Sequence, residues 1–382
     1  MNSSTRKLLL VAALAIVLSV SLLDHVASAP PKPPAPPPVT YTLTFLDANL
    51  RLEKMNESGV AVGYTAGDAP LAKVRLADGT LIDLTSFVQA EIPNCPWLLL
   101  ERAWEINASG QIAGVGLLVK NGVPIRSLFR FSPAEGVDPA CIELLTTLQP
   151  SVIYLGGMND AGDVVLRQEK AGSPDTAWVV SGLPGEAVAT QLPMSGVGSV
   201  PLAINNLGQV TGQLDDGSLL KAFRFTPATA SIELFGTITG SPATDSWQSG
   251  GNDINDLGVI AGFAYKGRPT RGKEDSSPWA VRLIASGVWE TVAGGGSSNA
   301  SALNNFGVTV GTRTGVYGQG FVFLSGKMYA LKDLMLSPPA NLAILLPNDI
   351  TNGGQICGEA AVKNPDGTYQ FGGGFILTPV AP

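Results

Sequence analysis

Histidine is almost missing from this chain. The 382 residues contain one, His25, and it falls in an apolar N-terminal stretch. Once that stretch is removed no imidazole remains, which excludes Ser-His-Asp and Cys-His nucleophilic mechanisms and every His-ligated zinc site. Cysteine is scarce too: Cys95, Cys141 and Cys357 are the three, with no Cys-x-x-Cys pair. A metal cluster is therefore not expected. Charged residues make up 14% and the formal net charge is −7, without a basic stripe. Nucleic acid and anionic membrane surfaces are accordingly not expected as partners. Helical periodicity is not evident. No Asp-x-Asp-x-Asp-Gly calcium loop occurs, and Gly294-Gly295-Gly296 does not open a helix carrying a phosphate-binding Lys. No cofactor is expected.

What the chain has in excess is punctuation, with 45 Gly and 28 Pro. It also repeats one phrase: an apolar residue, Asn, two variable residues, Gly, then a short apolar run ending in Gly. The seven copies begin at Met55, Ile106, Met158, Ile204, Ile254, Leu303 and Ile350, with Thr351 in place of Asn in the last. Their first glycines, Gly59, Gly110, Gly162, Gly208, Gly258, Gly307 and Gly354, recur every 46 to 52 residues. A period of this size signals a propeller, solenoid or array. Asn opens turns through its side chain, and Gly supplies positive φ, so each phrase reads as a hairpin. The second Gly (Leu166 in the third copy) marks a place where backbones approach closely.

A strand rich in aromatic and β-branched residues follows each hairpin, as in Leu128-Phe129-Arg130-Phe131 and Ala222-Phe223-Arg224-Phe225. A fourth segment often comes next, such as Leu81-Ile82-Asp83-Leu84, Ile142-Glu143-Leu144-Leu145 and Ile232-Glu233-Leu234-Phe235. Four strands in about 49 residues make a propeller blade. Tyr41 to Leu46 has the fourth-strand character but precedes the first hairpin. Phe375-Ile376-Leu377 has third-strand character, and only Thr378 to Pro382 follow. The expected fold is therefore all-β: a seven-bladed β-propeller closed by the N-terminal strand, which removes the open sheet edges.

The hairpin phrase followed by an Ala-Phe strand resembles the extracellular HAF-type repeat proteins of bacteria. The resemblance covers residues 41 to 382, although Ala222-Phe223 and Ala177-Trp178 lack the preceding His of that family's phrase. It implies an extracellular setting and a repeat fold, and brings no reaction with it.

Upstream of the repeats, Arg6 and Lys7 precede an uncharged stretch from Leu8 to Leu23, the pattern of a secretory signal peptide. It is short for a spanning helix, which needs ~20 apolar residues. Cleavage is expected after Ser28 rather than Ala29, and an uncleaved anchor is the competing reading. Residues 1–28 are thus a signal peptide, 29–40 a proline-rich spacer of polyproline character, and 41–382 the propeller. The expected location is secreted, periplasmic or at the cell surface. Export permits a Cys95–Cys141 disulfide. Cys357 sits where other copies have a small apolar residue and reads as a buried free thiol.

Two functional readings follow. In a propeller the strand preceding each Asn lines the central channel. There it carries Glu53 and Lys54, Glu105, Asp253 and Asp349, while Gly157, Ala203 and Ala302 stand at the equivalent place elsewhere. Two carboxylates suffice for sugar-bond hydrolysis, but the same groups also suit a wet channel without chemistry. The long connections are the other candidate, because loops on rigid scaffolds carry binding. They are Ser86 to Leu98 with Trp97, Gly236 to Gly251 with Asp245 and Trp247, and Lys266 to Pro278 with Arg268 and Arg271. An exposed Trp beside polar groups suits a carbohydrate or protein ligand; packing over blade edges is the plainer alternative for both tryptophans. The preferred expectation is a monomeric, exported, non-catalytic binding or surface-interaction module without a membrane span after signal cleavage. The alternative is a propeller enzyme acting on polysaccharide.

Overall fold

A computed structural model describes residues 39–91, 94–132, 152–182, 187–194, 197–215, 217, 219–235, 247–266, 277–284, 287–293, 296–313 and 319–380. In it every Asn phrase closes a hairpin between the two innermost strands of a blade. The backbone N–H of Gly59 donates to the Asn56 carbonyl, and that of Asn56 to the Val60 carbonyl; the same pair recurs in the other six copies. All seven first glycines take φ between +73° and +81°, a region that other residues enter only with strain.

The strands form seven antiparallel sheets. The first blade runs outward from Leu50–Met55 through Ala61–Thr65 and Ala72–Arg75 to Leu81–Asp83. The third to sixth blades repeat this order, with inner strands Val152–Met158, Gly198–Ile204, Trp247–Ile254 and Ser298–Leu303. The second blade has three strands among the described residues, Trp97–Ile106, Ile112–Lys120 and Val123–Phe131. The fourth strand expected there, from Ile142 to Leu145, lies outside them.

The seventh blade contains Leu342–Ile350, Ile356–Lys363 and Tyr369–Val380, and its outermost strand comes from the other end of the chain. Thr40–Phe45 pairs antiparallel with it, from Thr40 opposite Val380 to Phe45 opposite Phe375. The ring is closed by this pairing, as expected from the spare strand at the N-terminus and the fourth strand missing from the last repeat. The chain is thus a seven-bladed β-propeller.

The second glycine of each phrase explains itself sterically. A Cβ at Gly63, Gly114, Gly212, Gly262, Gly311 or Gly358 would lie 1.8 to 2.1 Å from a carbonyl oxygen of the inner strand. That strand carries a bulge at this level in each blade, which presses its backbone onto the second strand. In the third blade Leu166 stands instead, and the inner strand supplies Gly156 and Gly157. There a Cβ at Gly156 would lie 2.4 Å from the Pro201 carbonyl of the fourth blade.

The apolar residue before each Asn is buried against the preceding blade. Met55 packs with Cys357 and Ile376 of the seventh blade, and Ile254 with Ala222 and Phe235 of the fourth. The core is therefore a ring of inter-blade seams, the arrangement that frees repeat proteins from the size limit of a single core.

Candidate functional site

The Asn side chain has a second use beyond the turn. Its Oδ1 accepts the backbone N–H four residues on, as in Val60 to Asn56 at 3.1 Å and Gln209 to Asn205 at 2.9 Å. Its Nδ2 crosses to the next blade and donates to the carbonyl of the equivalent residue. The steps run from Asn56 to Asn107, Asn159, Asn205, Asn255, Asn304 and Thr351, at 2.8 to 3.3 Å. All six asparagines are buried, so each bond is made away from water. Asp could form the turn but could not donate the bridge.

A second ring surrounds the first, one residue further along. The backbone N–H groups of Ala108, Asp160, Asn206, Asp256, Asn305 and Asn352 each donate to the side-chain oxygen at the same place in the next blade. The acceptors are Asp160, Asn206, Asp256, Asn305, Asn352 and Glu57. Glu57 thereby ties the seventh blade to the first, where Thr351 supplies no amide. Together the rings line a funnel of about 200 Å³ to which all seven blades contribute. Met55, Ile106, Met158, Ile204, Ile254, Leu303 and Ile350 also contribute to its lining.

Next along each inner strand come the expected channel groups. Lys54 Nζ lies 3.3 Å from Asp349 Oδ1, and the backbone N–H of Met55 donates to Asp349 Oδ2 at 2.9 Å. Asp253 makes the corresponding tie in the fifth blade, accepting from Leu303 of the sixth at 2.9 Å through Oδ2 and from Ile254 through Oδ1. Their neighbours Asn348 and Asn252 donate to the Leu52 and Ala300 carbonyls, again across a seam.

These groups perturb one another. Burial pushes Glu105 up to about 8, with Asp349, Asp253 and Glu53 adding to the rise and Lys54 opposing it. Burial likewise raises Asp253, and raises Glu53 together with the charge of Glu359. For Lys54 burial alone would act downward, but Asp349, Asp253 and Glu105 outweigh it and hold the ammonium well above its ordinary value. A retained 27% accessibility of the Lys54 side chain shows that this level is wet rather than sealed. Glu53 has a further neighbourhood of Tyr64, Arg102, Arg51 and Glu359. Arg51 pairs with Glu359 and stacks over Phe371. Among the described residues no group of acidic, Cys or His side chains is arranged to hold a metal ion.

The loop residues fare differently. Trp97 does not sit on an exposed loop. It opens the ten-residue inner strand of the second blade and is 1% exposed. Its ring meets Phe129 edge-on at 5.8 Å, and its carbonyl accepts from Gln89 of an eight-residue helix, Leu84–Glu91. That helix occupies part of the segment read as an open loop and buries Leu84 and Val88. The indole is a core side chain because helix and strand close over it. Trp247 opens the inner strand of the fifth blade opposite Lys266. Asp245, Arg268 and Arg271 lie outside the described residues. The Cys95–Cys141 pairing falls on Cys141, also outside them, and Cys357 is a buried free thiol.

No family model and no curated protein sequence matches this chain. Solved structures do. A prolyl endopeptidase structure is 13% identical with a TM-score of 0.50, over 86% of this chain and 46% of its own. A puromycin-hydrolyzing peptidase of Mycobacterium tuberculosis is 12% identical with a TM-score of 0.46, over 86% and 51%. An Aleuria aurantia lectin is 12% identical with a TM-score of 0.37, over 75% and 95%. The chain thus spans about half the length of the peptidases. At these identities the likeness concerns the propeller fold alone.

Proposed function

We propose that this protein is an exported, non-catalytic propeller that works as a binding or surface-interaction module. The observation that carries the reading is how the axial aspartates are used. Both oxygens of Asp253 accept backbone N–H groups, and Asp349 accepts one N–H and the Lys54 ammonium. A general acid or nucleophile must present an oxygen to substrate. Three of these four oxygens are instead held across a seam between blades, and the fourth by the next backbone N–H of its own strand. The apolar N-terminal segment and the resemblance to exported repeat proteins support an extracellular setting, in which a rigid ring serves as a platform for loops and turns.

One residue favours the alternative, a polysaccharide-cleaving propeller. Glu105 has a pKa pushed to about 8, which suits a general acid, with Glu53 as the second carboxylate. The two readings are separated by incubating the purified protein with a polysaccharide panel while screening a glycan and protein array. Retention of a ligand without release of reducing ends supports the module. Reducing ends that vanish in Glu105→Gln support the enzyme and defeat the module.

A further inference from the structure

The turn residue two places after each Asn is set outward by the turn itself. The N–H groups of Leu207, Leu257 and Phe306 are held by the side chains of Asn205, Asn255 and Asn304 at 3.0 to 3.1 Å. The side chains nevertheless stay partly exposed: Leu207 is 64% exposed, Leu257 43% and Phe306 39%. Equivalent places in the other blades hold Ser58, Ser109, Ala161 and Gly353. Three large apolar residues thus stand on three consecutive blades of one face, where small residues serve the turn as well. The turn does not require them, and apolar groups left this exposed mark interaction surfaces.

Beside this arc lies the funnel, and the two differ in character. Its lining includes Glu57, Asp160 and Asp256 and contains no Lys or Arg among the described residues. Asn206 donates to both Asp160 and Asp256, at 2.8 and 3.1 Å, and Asn305 donates to Asp256 at 2.9 Å. These amides fix the carboxylates without neutralising them. The neighbouring arginines are committed elsewhere: Arg224 pairs with Glu233 and Arg282 with Glu290, while both also hold hairpin carbonyls.

We propose that this face binds a basic, partly apolar polypeptide segment of a partner protein. A Lys or Arg side chain enters the acidic funnel, and flanking apolar side chains rest on the arc of Leu207, Leu257 and Phe306. Charge complementarity selects a cationic occupant. The arc selects a polypeptide over an amino sugar, because two of its three members are aliphatic and offer no aromatic platform for a sugar ring. A 200 Å³ funnel on the ring axis takes one long basic side chain, with the apolar contacts to one side of it. This surface deepens the binding-module reading and rests on it.

The test uses the whole protein and three labelled probes: a dodecapeptide of Leu and Lys, its counterpart with Glu for Lys, and a chitosan oligomer. Anisotropy should show binding of the Lys peptide alone, weakening with salt. The triple variant Leu207→Ser, Leu257→Ser, Phe306→Ser should lose ~tenfold or more in affinity. Its melting temperature should hold, since Ser already fills this place in two blades. The pair Asp160→Asn, Asp256→Asn should lose affinity similarly and flatten the salt dependence, Asn being the native residue there in three blades. Equal binding of the Glu peptide or of chitosan overturns the proposal, as does unchanged affinity in both variants. An array ligand that binds both variants normally would sink this surface alone, leaving the module reading intact; reducing ends released by Glu105 would sink that reading.

Discussion

The side-chain amide of Asn205 donates to the backbone carbonyl of Asn255, 2.8 Å away and 50 residues further along the chain. Each such bond joins two blades, and the same side chain closes its own turn. Asn205→Asp keeps the acceptor for the turn and removes the donor for the bridge. A buried carbonyl then loses its partner beside a new charge. The expected destabilisation is about 2–3 kcal/mol, read by urea unfolding. Thr351→Asn should act in the opposite sense, by supplying the missing donor at the seam between the last and first blades. If the Asp variant unfolds at the wild-type midpoint, the bridge has no energetic weight.

Two glycines separate steric from conformational demands. Gly262 has an ordinary φ, but its Cβ would lie 1.9 Å from the Gly250 carbonyl; Gly287 has φ +75° with open space around it. Gly262→Ala forces two backbones apart and should cost about 3 kcal/mol or more. Gly287→Ala carries only the left-handed strain, about 1 kcal/mol. Denaturation of both variants ranks them, and equal losses would show that the bulge yields to a methyl group.

Closure offers a third test. Tyr41 is buried in the cluster joining the sixth and seventh blades, and burial pushes its phenol up to about 12. Deleting residues 40 to 45 uncovers the edge of Tyr369–Val380 as well as this cluster. Open edges template association, so size-exclusion chromatography should show oligomers or aggregate. A deletion that elutes as a stable monomer would mean that the ring holds without its clasp.

The ring and its closure were legible because they depend on a period and on local turn chemistry. Seven copies of one phrase specify seven hairpins, and a spare strand at one end with a missing strand at the other has one economical solution. The crowding at the second glycine was legible for the same reason. The inter-blade role of Asn was present in the sequence as a preference for Asn where Asp would turn equally well. Its meaning required knowing that position 205 meets position 255. Trp97 misled because residues near a turn-rich segment read as loop, while the helix Leu84–Glu91 that covers it is too short to show periodicity. The positions of Glu53, Glu105, Asp253 and Asp349 on the inner strands followed from the phrase, but which oxygens bind neighbouring N–H groups depends on distances between blades.

Glu105 gives the last prediction, and its sign is fixed by the direction of its shift. The folded protein holds this carboxyl's pKa at about 8, against about 4.3 in an unfolded chain. The folded state therefore binds the proton more tightly. That contribution is fully present below the unfolded value and is lost as pH rises from about 4 through 8. Glu105→Gln mimics the protonated form and is insensitive to pH. Near pH 4 the variant and the wild type should unfold alike. At pH 9 the variant should be the more stable, by about 1–2 kcal/mol, the shift, which already includes the opposing Lys54 charge, being discounted for water in the channel. Thermal unfolding of both proteins between pH 4 and 9 measures the difference. A wild type that is the more stable at pH 9 would mean that the ionised carboxylate, paired with Lys54, is the form the ring is built around.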